Sequence, residues 1–220
     1  AAHLVNAVVR VRLFDLTPKE GDRDAIARRG VAGLAKLEPA PLGEPGRAAA
    51  IAVANYDDDL ARLAGCDLVI EAIAERLDWK RDLYARIGPF LAPDAIVASN
   101  TSGLSLAALD AALPPALRAR FCGIHFFNPP RYMHLVELIA APGTQPALLD
   151  ALETFLTTTL GKGVIRARDT PNFIANRIGV FSIVATMLHT ERSGLGYDVV
   201  DALTGPAIGR PKSASYRTVD

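Results

Sequence analysis

Three groups of residues in the middle of this 220-residue chain suit proton transfer and the holding of oxygen atoms. Ser99, Asn100, Thr101 and Ser102 follow the apolar run 96–98, His125 and Asn128 follow the run 121–124, and Glu137 lies inside the run 135–140. Glu137 is the most telling of them. Its run alternates Leu135, Glu137 and Ile139 on one face with Val136, Leu138 and Ala140 on the other. A carboxylate between two aliphatic side chains must find a partner or stay protonated, because an unpaired buried charge is too costly. A histidine is the obvious partner. Such a pair orients an imidazole as general base and stabilises the imidazolium that forms when it takes a proton. The hydroxyls and amides of residues 99–102 can donate to a substrate oxygen without adding charge.

The runs that carry these groups are short and apolar without polar alternation, as in strands covered on both faces of a parallel sheet. Ligands gather beyond the carboxyl ends of such strands, where Ser102 and His125 are expected. Upstream, residues 1–7 read as the end of a helix, 8–14 as a strand closing on Asp15, and 22–37 as an amphipathic helix with Ile26, Val31 and Leu34 inward. Pro39, Pro41, Gly43, Pro45 and Gly46 mark a loop. Residues 48–54 have no assignment, and 56–60 read as a short capped helix. A strand at 68–74 places Glu75 at its carboxyl end, with Glu71 earlier as a buried structural acid, and a helix at 78–91 carries Lys80. Residues 99–102 have an alternative task as the cap of a helix beginning near Leu104. Then come a helix at 145–160, a strand at 164–167 and a long helix from Asp169 to Glu191 with Pro171 in its first turn. A further helix start lies at 198–201. The expected organisation is an α/β domain over 1–168 and a helical domain over 169–220.

Composition narrows the function classes. Half the residues are hydrophobic and the formal net charge is zero, so nothing points to nucleic acid or an anionic membrane as partner. The two cysteines, Cys66 and Cys122, read as core residues of a reducing compartment. The apolar stretch 178–188 is too short to span a bilayer, and the opening residues carry no basic start, so a cytoplasmic protein is expected. His134, just before the Glu137 run, reads as a loop residue, and His3 and His189 are isolated. No pair of histidines or cysteines has metal-ligand spacing, so no metal is expected, and no serine sits in a Gly-x-Ser-x-Gly elbow.

The segment His125-Phe126-Phe127-Asn128-Pro129, with Leu135-Val136-Glu137 after it and Ser99-Asn100-Thr101-Ser102 before it, resembles the L-3-hydroxyacyl-CoA dehydrogenases. The resemblance covers nearly the whole chain. It implies a Rossmann-type, doubly wound, mostly parallel sheet followed by an α-helical domain, with NAD as hydride acceptor and an acyl-CoA thioester as substrate. By this resemblance His125 and Glu137 are the catalytic pair, and Asp15 holds the adenosine ribose. Glu75 and Lys80 stand by the nicotinamide half. Ser102 and Asn128 touch both substrate and cofactor, and Asn176, in Pro171-x-Phe173-Ile174-x-Asn176-Arg177, reaches the substrate. A homodimer through the helical domain is implied as well.

The Gly-x-Gly-x-x-Gly fingerprint that belongs one helix upstream of Asp15 is not in the chain, whose first glycine is Gly21. The chain is therefore expected to begin inside the first helix, without the first strand and phosphate loop, and to stop while the helical domain is still running. Two other readings stand beside the dehydrogenase. One is a non-catalytic relative or fragment that binds acyl-CoA. The other is a Rossmann dehydrogenase for small 3-hydroxy acids, which is expected to use a lysine in place of the His–Glu pair.

Overall fold

Apolar runs bounded by Gly, Pro and Asp form the strands of a computed structural model that describes residues 1–219. The last residue of the expected helical domain, Asp220, lies outside the described residues. The chain divides into two compact units, Ala1–Thr170 and Pro171–Asp220.

The first unit opens with helix α1 (Ala2–Asn6) and strand β1 (Val11–Asp15). The strand starts later than the expected residue 8, because the N–H groups of Val8 and Val9 bond back to Val5 and Leu4 and close the helix. Helix α2 (Ala25–Gly33), prolonged by a 3-10 turn at Leu34–Lys36, is shorter than the expected 22–37. Asp22 accepts the N–H of Asp24 through Oδ1 at 3.0 Å, a local turn that delays the helix. The unassigned stretch resolves into a 3-10 turn (Pro45–Ala50) and strand β2 (Ile51–Asn55). The expected helix at 56–60 is instead a turn leading into a 3-10 segment, Leu60–Gly65.

Strand β3 (Leu68–Glu71) and helix α3 (Leu77–Ile87) follow. The strand stops short of the expected residue 74 because Glu71 Oε1 accepts the N–H of Ile73 at 2.7 Å and bends the chain out of the ladder. Glu75 consequently lies in the turn beyond the strand. After strand β4 (Ile96–Ser99) come α4 (Leu106–Ala112), α5 (Pro115–Arg118), β5 (Phe121–Phe126), β6 (Leu135–Ala140), α6 (Pro146–Thr154) and β7 (Gly163–Ala167). A π-helical turn, Phe155–Thr159, continues α6 over the rest of the expected helix.

The strands form two sheets, β1-β2 and β3-β4-β5-β6-β7. All pairs are parallel except β5–β6, which is antiparallel. This is a Rossmann-like α/β architecture dominated by parallel pairing. One face of the larger sheet presents Ala98, Cys122, Ile124, Val136 and Leu138 to Leu148, Leu149, Leu152 and Leu156 of the α6 segment. On the other face Gly123 leaves room for Ile139 and for Leu106 of α4. The parallel-type apolar runs thus reflect burial from both sides.

In the second unit lie α7 (Ala175–Ser193), α8 (Tyr197–Thr204) and α9 (Tyr216–Val219). Helix α7 begins at Ala175 and not at Asp169, because Asn172 and Phe173 adopt φ of 61° and 47°, outside the right-handed helical region. Pro171 therefore precedes the helix. No helix among the described residues is long and apolar enough to cross a membrane.

Candidate active site

His125 and Glu137 face each other because β5 and β6 run antiparallel in a register that pairs these two residues. His125 Nδ1 lies 2.8 Å from Glu137 Oε2, and both side chains are buried, Glu137 completely. That contact gives the acid inside this apolar ladder the partner its burial requires. With Nδ1–H donating to the carboxylate, Nε2 carries the lone pair a general base needs. The Phe127 ring packs 4.5 Å from the imidazole and helps to fix its plane. His125 is the fifth of six residues in its strand, inside the ladder and not beyond its end as the sequence suggested.

The β5 end is also held from β4. Asn100 Oδ1 accepts the N–H of Phe126 at 3.0 Å, and Asn100 donates its own N–H to Glu71 O at 2.8 Å. Sequence reasoning took Asn100 only as one of four polar residues. Its signal was an amide one residue past a strand, next to a parallel neighbour that runs on further.

Glu75, Lys80 and Ser102 are brought together at the ends of β3 and β4. Glu75 Oε1 accepts the N–H of Ser102 at 2.5 Å, and the Thr101 hydroxyl lies 3.0 Å from each Glu75 oxygen. Lys80 Nζ points inward, with 1% of its side chain exposed, and lies 2.6 Å from Glu71 Oε1 and 3.5 Å from Glu75 Oε2. Burial and the Glu71 carboxylate push the Tyr84 phenol far above its ordinary range. Residues 99–102 do not cap the next helix. That task falls to Ser105, whose Oγ accepts from Ala108 N–H, and to Asp169, which accepts from the N–H groups of Leu106 and Ala107.

Asn128 is exposed in the loop after β5. Lys162 Nζ donates to the carbonyls of Pro130 and Met133 in that loop, and Arg131 donates to those of Ala40 and Leu42. Asp15 ends β1 in the smaller sheet, half-buried, with Oδ1 accepting the N–H of Leu16 at 2.7 Å. Asn176 is the second residue of α7 in the second unit. Cys122 is core filling: burial pushes its thiol up to about 12. No group of three or more His, Cys, Asp or Glu among the described residues is arranged to hold a metal ion.

The residues at the strand ends fit a dinucleotide. A carboxylate closing β1 suits ribose hydroxyls, and an acid, hydroxyls and a backbone amide at β3 and β4 suit a polar ring edge. The fold and this set of groups define a Rossmann-type dinucleotide-binding domain. Residues 1–170 match the family model described as "3-hydroxyacyl-CoA dehydrogenase, NAD binding domain", and the chain belongs to the 3-hydroxyacyl-CoA dehydrogenase family.

The chain is 44% identical over 221 residues to a "Probable 3-hydroxyacyl-CoA dehydrogenase" of Deinococcus radiodurans, covering 100% of this chain and 64% of that protein. It is 38% identical over 235 residues to a "Probable 3-hydroxyacyl-CoA dehydrogenase" of Bacillus subtilis, covering 100% of this chain and 30% of that protein. The solved structure of (S)-3-hydroxybutyryl-CoA dehydrogenase from Ralstonia eutropha superposes with a TM-score of 0.78 at 29% identity, over 96% of this chain and 73% of that one. The chain thus spans less than two thirds of the length of either curated relative.

Proposed function

We propose that the protein containing this chain oxidises the 3-hydroxyl of an L-3-hydroxyacyl-CoA to the 3-oxo thioester, in fatty-acid β-oxidation or a related CoA-thioester pathway. NAD, when bound, supplies the hydride acceptor for the hydrogen on C3. The observation that carries the reading is the His125–Glu137 contact at 2.8 Å. His125 takes the hydroxyl proton on Nε2 as the carbon–oxygen double bond forms, and Glu137 offsets the charge that appears on the ring. Ser102 and Asn128 position the substrate oxygen and also line the cofactor. Asp15 takes the adenosine ribose and disfavours a 2′-phosphate by charge, while Glu75 borders the nicotinamide half with Lys80 behind it. A homodimer belongs to the same reading, supported by Ile178, Phe181 and Leu188 of α7, which are 63%, 75% and 50% exposed. The free thiols of Cys66 and Cys122 support a cytoplasmic setting.

The test follows NADH absorbance with acetoacetyl-CoA in the whole protein, with His125→Gln beside it. Loss of a general base is expected to lower turnover by about 10²- to 10⁴-fold while the thioester still binds. Turnover in the variant close to that of the unaltered protein would remove His125 from the chemistry, and an unaltered protein that consumes no NADH would remove the dehydrogenase reading.

A further inference from the structure

Glu71 is more than a buried structural acid. It is 3% exposed, and its carboxylate is met by four donors. Oε1 accepts from Lys80 Nζ at 2.6 Å and Ile73 N–H at 2.7 Å, and Oε2 accepts from Ser99 Oγ at 2.7 Å and Tyr84 OH at 3.0 Å. Two of these donors, Ile73 and Ser99, sit at the starts of the two loops that carry Glu75 and Ser102. The Ser99 hydroxyl in turn accepts the N–H of Thr101 at 3.3 Å. Lys80, shared between Glu71 and Glu75, links the two acids through one buried ammonium. The main chain of Glu71 is engaged too, since its carbonyl accepts from Asn100, the residue that holds the peptide after His125.

We propose that Glu71 is a positioning residue: by gripping Ile73, Ser99 and Lys80 at once, its carboxylate sets the loop pair that presents Glu75 and Ser102 to the cofactor. This rests on the reading that Glu75 and Ser102 border NAD. Stability alone is a poor reason to bury this group. A buried ion pair can often be replaced by apolar side chains of similar volume without loss of stability. An acid that merely filled space would find partners within its own strand and helix. Here one carboxylate joins a strand end, the following loop, a helix and the neighbouring strand, and both loops it joins lead to site residues.

The test uses Glu71→Gln, which keeps the shape and one of the two accepting oxygens but removes the charge, in the whole protein. Three quantities are read: amide hydrogen exchange without NAD, the Kd for NAD by fluorescence, and the Kd for acetoacetyl-CoA. Losing charge-assisted bonds is expected to speed exchange at Thr101 and Ser102 about tenfold or more and to weaken NAD binding by a similar factor. Exchange in β1 and β2 and affinity for the thioester are expected to stay as they were. The double variant Glu71→Gln with Lys80→Met restores charge balance, so it is expected to recover melting temperature but not NAD affinity. Should Glu71→Gln not fold, Ser99→Ala and Tyr84→Phe each remove one hydroxyl from the carboxylate, and several-fold faster exchange at Thr101 and Ser102 supports the proposal. Unchanged exchange at those amides, or a double variant that recovers NAD affinity together with melting temperature, overturns it. A wild-type protein that binds no NAD overturns the dehydrogenase reading instead, and faster exchange in the variant then still supports the grip of Glu71 on the two loops.

Discussion

Glu137 and His125 stand directly opposite each other across the antiparallel β5–β6 pair, with 2.8 Å between Oε2 and Nδ1. The contact is made by the sheet itself, so neither side chain has to reach for the other. Glu137→Gln keeps an oxygen that can accept from the imidazole N–H but cannot offset a positive ring. In the proposed reaction the variant is expected to lose about 10²-fold in turnover and little in thioester affinity. Steady-state kinetics beside equilibrium thioester binding would check this. A turnover change of less than a few-fold would show that orientation, and not charge, is what Glu137 provides.

Gly123 lies within β5 and Gly163 opens β7 beside β6, and the two are expected to answer differently to a methyl group. An alanine Cβ at Gly123 would lie 3.1 Å and 3.2 Å from Ile139 atoms and 3.3 Å from Leu106, all in the closed core. Gly123→Ala is therefore expected to cost about 1–3 kcal/mol by overpacking. At Gly163 the added carbon would meet the His134 ring at 2.8 Å, but His134 is exposed and its ring can swing away. Gly163→Ala is expected to change stability by about 0.5 kcal/mol or less. Urea unfolding of the two variants separates them, and equal losses would contradict the packing argument.

Part of this site was legible in the sequence, for a physical reason. Glu137 sits in a pattern that leaves a charge between aliphatic neighbours, and such a charge advertises its need for a partner. The direction of β6 is legible too. Only eight residues, 127–134, separate the two strands, whereas a parallel crossover needs about a dozen or more. The inward turn of Lys80 was not legible, because periodicity assigns a lysine to a solvated face unless the acid beneath it is known, and Glu71 lies nine residues away. The cap of α4 was hidden further still. Asp169 reaches Ser105 across 64 positions, a relation that only the folded chain creates.

That cap gives a prediction of its own. Asp169 accepts from Leu106 N–H at 2.9 Å, Ala107 N–H at 2.8 Å and the Ser105 hydroxyl at 2.9 Å. It satisfies amides that α4, a helix of seven residues, leaves open at its first turn. Asp169→Ala is expected to cost about 0.5–2 kcal/mol, as for other lost N-terminal caps. Asp169→Asn keeps an accepting oxygen and should recover part of it. Denaturant midpoints for the two variants test the order, and an asparagine variant as weak as the alanine one would mean that charge is what the helix start requires.

The acid response of the second unit follows from Asp201. Its buried carboxylate accepts from Tyr216 N–H at 2.8 Å, Ser215 N–H at 3.1 Å and Arg217 N–H at 3.2 Å, with the Arg217 guanidinium 3.8 Å away. Burial by itself would raise the carboxyl, but the three backbone N–H groups and the guanidinium outweigh it and hold it below the ordinary 3.8. A carboxyl depressed on folding adds stability above its unfolded value, and that contribution disappears as pH falls through the folded one. The protection of the Ser215, Tyr216 and Arg217 amides, taken as exchange relative to the intrinsic rate at each pH, should therefore be high and level above pH 3.8 and should fall as the pH drops below it. In Asp201→Asn these amides are expected to exchange faster at neutral pH and to lose this acid response. Protection in the unaltered protein that stayed constant through the acid range would show that α9 is held by something other than this carboxylate.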